Sequence, residues 1–271
     1  MKSQLIFLEG LPGSGKTTTS TKIYEFLKSR NVNTNVYLEA HLPNPVNLAG
    51  YAYLTYAQYE WLCKKYKDEK FDNAIFGEGY VLIPYALSKT MFYQGELLEF
   101  LRANEFCYTA NPNVSFEIFS KVMLERWRKL NDSTASGEVK IFDGDFFQHP
   151  IEDIMRNFTR DPERIIRYFS SVHRTIKNLN PILFYITQRN EEESLARIAD
   201  ERNRDIFRNP RMIKHWKERK SIELEAIRQL TIRTYILDNS DYNWDKLFET
   251  ITQVLDKDLQ ERDSEESEIE Y

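Results

Sequence analysis

Five short apolar runs punctuate the chain: Gln4–Leu8 (QLIFL), Thr34–Leu38 (TNVYL), Val139–Phe142 (VKIF), Ile182–Ile186 (ILFYI) and Arg233–Leu237 (RTYIL). Each is rich in β-branched or aromatic residues and bounded by loop formers, the pattern of a short buried strand. A run that is apolar on successive positions, rather than alternating, belongs to a strand covered on both faces. Helical stretches lie between these runs, at Lys16–Ser29, Ile151–Leu179, Glu191–Asp205 and Pro210–Leu230, with a last helix from Asn243 to about Leu255. Alternation of this kind predicts the α/β class, a parallel sheet with right-handed crossovers and helices on both faces.

Residues 50–137 break the rhythm. They are crowded with aromatics (Tyr51, Tyr53, Tyr56, Tyr59, Trp61, Tyr66, Phe71) and alternate poorly, so we expect a mostly helical insertion packed on the sheet. An exposed turn, Asn131–Gly137, leads into the third strand. No repeat or Pro/Gly/Ser-rich linker divides the chain, and residues 1–255 read as one domain.

Composition narrows the class of function. Apolar residues make up 41% of the 271, enough to fill a core, and no run of 18 apolar residues exists to cross a membrane. The start runs straight into a strand without a secretory pattern, and Cys63 and Cys107 have no metal-binding spacing. Both features suit reduced thiols in a cytoplasmic protein. The net charge is −5, but residues 256–271 hold eight acids and two bases, which leaves the body close to +1. We expect that tail to be solvated and disordered. A near-neutral body argues against a general nucleic-acid binder.

The sharpest motif is Gly10-Leu11-Pro12-Gly13-Ser14-Gly15-Lys16-Thr17, a full GxxxxGK[ST] between an apolar strand and a helix that begins near Lys16 and Thr18. Phosphate oxygens must lie against backbone N–H groups, so the loop needs glycines where a Cβ would intrude. The helix then aims its positive end at the phosphates. Lys16 is expected to reach the β- and γ-phosphates of ATP, and the Thr17 hydroxyl to ligate Mg²⁺.

Ligands of open α/β sheets bind at the carboxyl ends of the strands. Glu39 follows the second strand, where a carboxylate could take a proton from an acceptor hydroxyl; His41 lies close by. Asp143 and Asp145 follow the third, where an acid would hold Mg²⁺; Asp143, nearer the strand end, is preferred. After the fourth come Arg189, Arg197, Arg202, Arg204, Arg208 and Arg211, read as an arginine-rich lid over 189–211. Guanidinium groups there could offset charge on a transferring phosphoryl, with Arg197 and Arg202 the chosen candidates. Asp238-Asn239-Ser240, after the fifth strand, could lie beside the nucleotide base.

This order of phosphate loop, acid, acid and arginine lid resembles the P-loop nucleoside and nucleotide kinases, with thymidylate kinase and the deoxynucleoside kinases closest in plan. The resemblance implies the P-loop NTPase fold, with a five-stranded parallel sheet in order 2-3-1-4-5, and γ-phosphoryl transfer from Mg-ATP to a small acceptor. Glu39 matches the place of the deoxynucleoside kinases' base, although Ala40 stands where they have proline. Asp143 matches their acid after strand three, although Gly144 replaces the arginine that follows it. The chain also resembles a group of bacterial P-loop kinase-like proteins, through Leu8–Thr17, Tyr80–Tyr85 and Gln148-His149-Pro150. That likeness makes Tyr80, Tyr85, Gln148 and His149 candidates for the acceptor pocket.

The expected function is therefore an ATP-dependent phosphotransferase with Mg²⁺ as cofactor and a nucleoside- or nucleotide-like small molecule as acceptor. The alternative is an ATP-hydrolysing switch in which Gln148 positions water. A polynucleotide end kinase is disfavoured by the body's charge. Aromatics exposed on the insertion would suit a homodimer.

Overall fold

In a computed structural model the described residues are 3–39, 43–87 and 90–269. Strands β1 (Gln4–Gly10), β2 (Thr34–Tyr37), β8 (Val139–Asp143), β9 (Ile182–Thr187) and β10 (Arg233–Asp238) form one parallel sheet in the order β10-β9-β1-β8-β2. Counted along the chain this is 2-3-1-4-5, and with the phosphate loop following β1 it is the P-loop NTPase fold.

Side chains of β1 alternate between two cores, as the period of a strand requires. Ile6 and Leu8 pack with Ile23 and Leu27 of α1 (Lys16–Ser29) and with Leu247, Ile251 and Leu255 of α9 (Trp244–Ile269). Leu5 and Phe7 face the larger core. There Phe7 stacks on Phe146 at 4.8 Å, and helices α4 (Phe116–Ser133), α5 (Gln148–Asn157), α6 (Pro162–Ile176) and α8 (Pro210–Gln229) close over the sheet.

Four expectations are corrected. The insertion is mixed rather than mostly helical. Alongside α2 (Tyr56–Lys65), α3 (Gly95–Ala103) and α4 it holds a three-stranded antiparallel sheet of β3 (Tyr51–Leu54), β5 (Tyr80–Pro84) and β4 (Ile75–Gly77). A two-stranded ribbon, β6 (Ala86–Leu87) with β7 (Thr90–Met91), adds to it. One face of the small sheet, Tyr53, Tyr80 and Leu82, joins the large core, and the other, Ala52, Leu54, Val81 and Ile83, packs on α2 and α3.

The single helix expected over 151–179 is two. Asp161 caps the second by accepting from the Glu163 N–H at 3.0 Å, and Pro162 has no N–H to continue the first. The helix expected over 191–205 stops at α7 (Glu191–Arg202), because Asn203 turns left-handed at φ 49°. Finally, α9 does not give way to a disordered tail at residue 256. It continues as helix to Ile269, anchored where Asp258 accepts from Gln4 Nε2 at 2.8 Å and pairs with Arg233.

Candidate functional site

The phosphate loop spans the step from β1 to α1, and its glycines are there for space and for backbone sign. Gly10, Gly13 and Gly15 have φ of 141°, 74° and 94°, values that L side chains rarely adopt. A Cβ on Gly10 would lie 2.2 Å from the Ile186 carbonyl oxygen, one on Gly13 1.9 Å from Ile198 Cδ1, and one on Gly15 2.2 Å from the Trp244 ring. The loop is thus enclosed by β9, α7 and the start of α9. No acid occupies the first turn of α1, which leaves its positive end to an anion. Ser14 Oγ is buried without a partner.

Lys16 is buried, and its Nζ donates to the carbonyls of Gly10 and Leu11, both at 3.1 Å. Burial pulls its amine below the usual lysine range, against the nearby charges of Asp143 and Glu39. Thr17 Oγ1 donates to Asp143 Oδ2 at 2.5 Å, which brings the end of β8 to the first turn of α1. Asp143 is fully buried and its Oδ1 has no partner. A buried carboxylate oxygen left open beside a threonine hydroxyl is a donor set that fits Mg²⁺. The Glu39 N–H reaches the same Oδ2 at 3.3 Å, and Gln148 Nε2 donates to Glu39 Oε1 at 2.9 Å.

Asp145 turns the other way. It accepts from Asn44 Nδ2 at 2.7 Å and Asn47 Nδ2 at 3.3 Å, and burial pushes its carboxyl up to about 8. It ties down the segment after β2. His41 lies outside the described residues.

Glu9 is a residue that the sequence reading missed. Fully buried at the end of β1, its carboxylate accepts from the N–H groups of Phe146 and Phe147 at 2.8 Å and of Gln148 at 3.1 Å. It therefore caps α5 from the strand that carries the phosphate loop. Burial and the neighbouring Glu223 push it up to about 8. An acid inside an apolar strand run, as in LIFLEG, is the signal that could have found it. Gly144, at φ 79° and with its N–H on the Leu8 carbonyl at 3.0 Å, makes the turn that brings these amides to Glu9.

A cleft of about 1320 Å³ opens over the loop. Pro12, Gly13, Gly15, Lys16, Thr17 and Thr18 line one part, with Glu39, Gln148 and His149 beside them. Leu11 instead turns into an apolar cluster with Leu195, Ile198, Phe207 and Trp216, which seats the lid on the loop. Of the six arginines, Arg197, Arg202 and Arg204 reach the cleft. Arg197 lies over the Tyr242 ring at 3.9 Å and pairs with Glu201 at 2.5 Å. Arg189 pairs with Asp238 and Arg208 with Asp200; these two and Arg211 are not among the lining residues.

Two acceptor-pocket candidates do not reach the cleft. Tyr80 is buried in β5 against Tyr53 and donates to Glu125, and Tyr85 is buried in the core of the antiparallel lobe. An aromatic that does line it, Tyr108, was not foreseen; it holds a left-handed backbone at φ 65°, uncommon outside glycine and asparagine. The Asp238–Ser240 turn stays outside the lining, while Asp241, Tyr242, Asn243 and Trp244 just after it take that place.

No protein-family model and no curated protein matches the chain. Among solved structures it is similar in layout to the YorR protein of Bacillus subtilis in complex with phosphorylated GDP, with 12% identity, TM-score 0.47, and 95% of this chain and 98% of that one covered. It is similar also to thymidylate kinase from Ehrlichia chaffeensis, with 13% identity, TM-score 0.44, and 94% and 100% covered. Thymidylate kinase from Candida albicans follows with 10% identity, TM-score 0.42, and 95% and 92% covered. At these scores no property of those proteins carries to this chain. Its own strand order and phosphate loop make it a P-loop NTPase-fold protein.

Proposed function

We propose that the protein is a phosphotransferase that moves the γ-phosphoryl of Mg-ATP to a hydroxyl or phosphate of a small, nucleoside- or nucleotide-like acceptor. The observation that supports this reading is the line of contacts Thr17–Asp143–Glu39–Gln148, in which a hydroxyl–carboxylate pair that would hold a cation lies beside an acid lining the cleft.

The loop amides and Lys16 would hold the phosphates, and Thr17 and Asp143 the metal. A bound Mg²⁺ supplies charge neutralisation on the β- and γ-oxygens. Lys16 spends two of its three N–H donors on the Gly10 and Leu11 carbonyls and would turn toward a phosphate, and its buried, depressed amine gains from an anionic partner. Glu39, oriented by the Gln148 amide, would accept or direct the acceptor's proton. Arg197 and Arg202 would offset charge on the phosphoryl as it transfers, with Arg204 near them. One amide N–H of Gln148 holds Glu39, as an acceptor-directed base needs, while its Oε1 is buried without a partner and is the atom that would orient water in the alternative, a hydrolytic switch.

We place the protein in the cytoplasm, with a small molecule rather than nucleic acid or membrane as partner; no described helix is long and apolar enough to cross a membrane. The exposed Tyr56, Trp61 and Phe76 of the antiparallel lobe suit a homodimer, which sedimentation would test.

The decisive experiment is ADP formation from Mg-ATP, alone and with pooled nucleosides, nucleotides and other hydroxyl compounds, with Lys16→Ala as the blank. ADP that needs one pool and vanishes in the blank is expected. Steady ADP without any pool would favour the hydrolytic switch, and none with any pool would overturn the transferase.

A further inference from the structure

Arg219 lies in the middle of α8, 209 positions from the phosphate loop, and is 1% exposed. Its guanidinium reaches three separate parts of the site. One Nη donates to the Gly10 carbonyl at 3.1 Å, and the other to Glu152 Oε1 of α5 at 2.9 Å. Its Nε sits 3.0 Å from Glu223 Oε1 as an ion pair, and Glu223 in turn accepts from the Tyr185 hydroxyl of β9 at 2.6 Å. Glu152 also contacts His215 Nε2 at 2.7 Å, so α5 and α8 are held together at two points.

The Gly10 carbonyl is the informative partner, because Lys16 Nζ donates to it too, also at 3.1 Å. Two cations share one oxygen, and the charge of Arg219 is among the causes that depress the Lys16 amine. Lys16 has three N–H donors and spends two on the loop, so turning its ammonium toward a phosphate loosens its hold on this oxygen. A buried carbonyl that loses its donor is destabilised. Arg219 already donates to the same oxygen and would keep it satisfied if Lys16 left.

We propose that Arg219 is a positioning residue that holds the Gly10 carbonyl in place of Lys16, releasing the lysine to the nucleotide and locking the phosphate loop to α5 and to α8, the helix that follows the lid segment. Arginine suits this task and lysine does not, because a planar fork can donate to two acceptors on separate elements while its charge pairs with a third group, Glu223. The inference rests on the nucleotide-binding part of the reading above. It adds that the lid's root, rather than its arginine tip alone, shapes the loop.

The test compares Arg219→Lys, Arg219→Met and the double variant Arg219→Met/Glu223→Gln, the last so that no unpaired carboxylate is left buried on α8. Amide hydrogen exchange is read first without ligand. Exchange at residues 10–17 and 146–150 is expected to rise about tenfold in all three, with residues 51–54 and 80–84 of the antiparallel sheet unchanged. Mg-ADP titration is read next, and affinity is expected to fall about tenfold, with Arg219→Lys giving no rescue. Unchanged exchange at 10–17 would overturn the proposal. So would a uniform rise across the chain, full rescue by lysine, or failure of all three variants to fold, each of which assigns Arg219 to general stability. If the wild-type protein binds no Mg-ADP, the nucleotide reading fails by itself, and the ligand-free exchange still decides the link between Arg219 and the loop.

Discussion

The Thr17 hydroxyl and the Asp143 carboxylate meet at 2.5 Å across 126 residues of sequence, and the second oxygen of Asp143 is buried with nothing to bind. On the proposed reading, that half-satisfied carboxylate would let cation binding be separated from nucleotide binding. Asp143→Asn keeps the shape and one acceptor but loses the charge. Affinity for Mg-ADP should fall about 10–100-fold, as for removal of a supporting carboxylate at a metal site. Affinity for ADP in the presence of a chelator should change little. Calorimetry with and without magnesium makes the comparison, and an equal loss in both conditions would remove Asp143 from the metal's surroundings.

Glu39 offers a cleaner split. Its side chain contacts Gln148 and leaves the loop glycines untouched, so Glu39→Gln should bind Mg-ATP as the wild type does. Transfer to the acceptor should drop about 10²–10⁴-fold, the range for loss of a general base. Once an acceptor pool is known, rapid-quench measurement of the chemical step checks this, and retained transfer would dismiss the base.

Gly13 tests the contact between loop and lid. An alanine there puts its Cβ 1.9 Å from Ile198 Cδ1 and adds left-handed strain of about 1 kcal/mol or more. Gly13→Ala should therefore lower the melting temperature and weaken nucleotide binding. Ile198→Ala in the same chain should recover part of the binding by removing the clash, while the backbone strain remains. No recovery would mean that α7 is not what the new methyl meets.

Asp153 gives a pH signature away from the cation site. It is buried on α5, accepts from the Tyr108 N–H at 2.9 Å, and burial raises its carboxyl to about 6. A raised acid keeps its proton more tightly in the folded chain than in the unfolded one. Its contribution is therefore fully present below about pH 4 and is lost as pH climbs through about 6. The loss is about 3 kcal/mol, at 1.36 kcal/mol per pKa unit. Asp153→Asn should lack that loss, so its stability relative to wild type should improve between pH 4 and pH 7. Urea unfolding at four pH values in this interval reads the difference, and parallel profiles would contradict it.

The parallel sheet was legible because its strands are apolar on consecutive positions, and the phosphate loop because its glycines meet strict demands of space and backbone sign. Pro162 was a signal that the expected single helix over 151–179 passed over, since a proline is favoured in the first turn of a new helix. The antiparallel lobe was harder. Its strands are short, one ends in Pro84, and its aromatics serve both faces, so no single period stands out. Glu9 left one signal, an acid in an apolar run, but its partners, the α5 amides, lie far away in sequence; Arg219 left none, because its role depends on the distant Gly10 carbonyl. In sequence, Asp143 and Asp145, two residues apart, differed only in distance from the strand end, which favoured Asp143. Geometry separates them, because Gly144 turns the chain between them and sends one carboxylate to Thr17 and the other to Asn44.

The four tryptophans fall on four different working parts. Trp244 lies under Gly15 of the phosphate loop, Trp216 stacks on Phe207 in the lid, Trp127 is sealed in the central core, and Trp61 is nearly half exposed on the antiparallel lobe. The molecule thus carries a built-in set of optical gauges. Emission from Trp244 would report on the floor of the loop, that from Trp216 on the lid's seat, and that from Trp127 on core integrity. Keeping one tryptophan at a time, with phenylalanine at the other three positions, would let loop movement, lid movement and unfolding be timed separately in unlabelled protein.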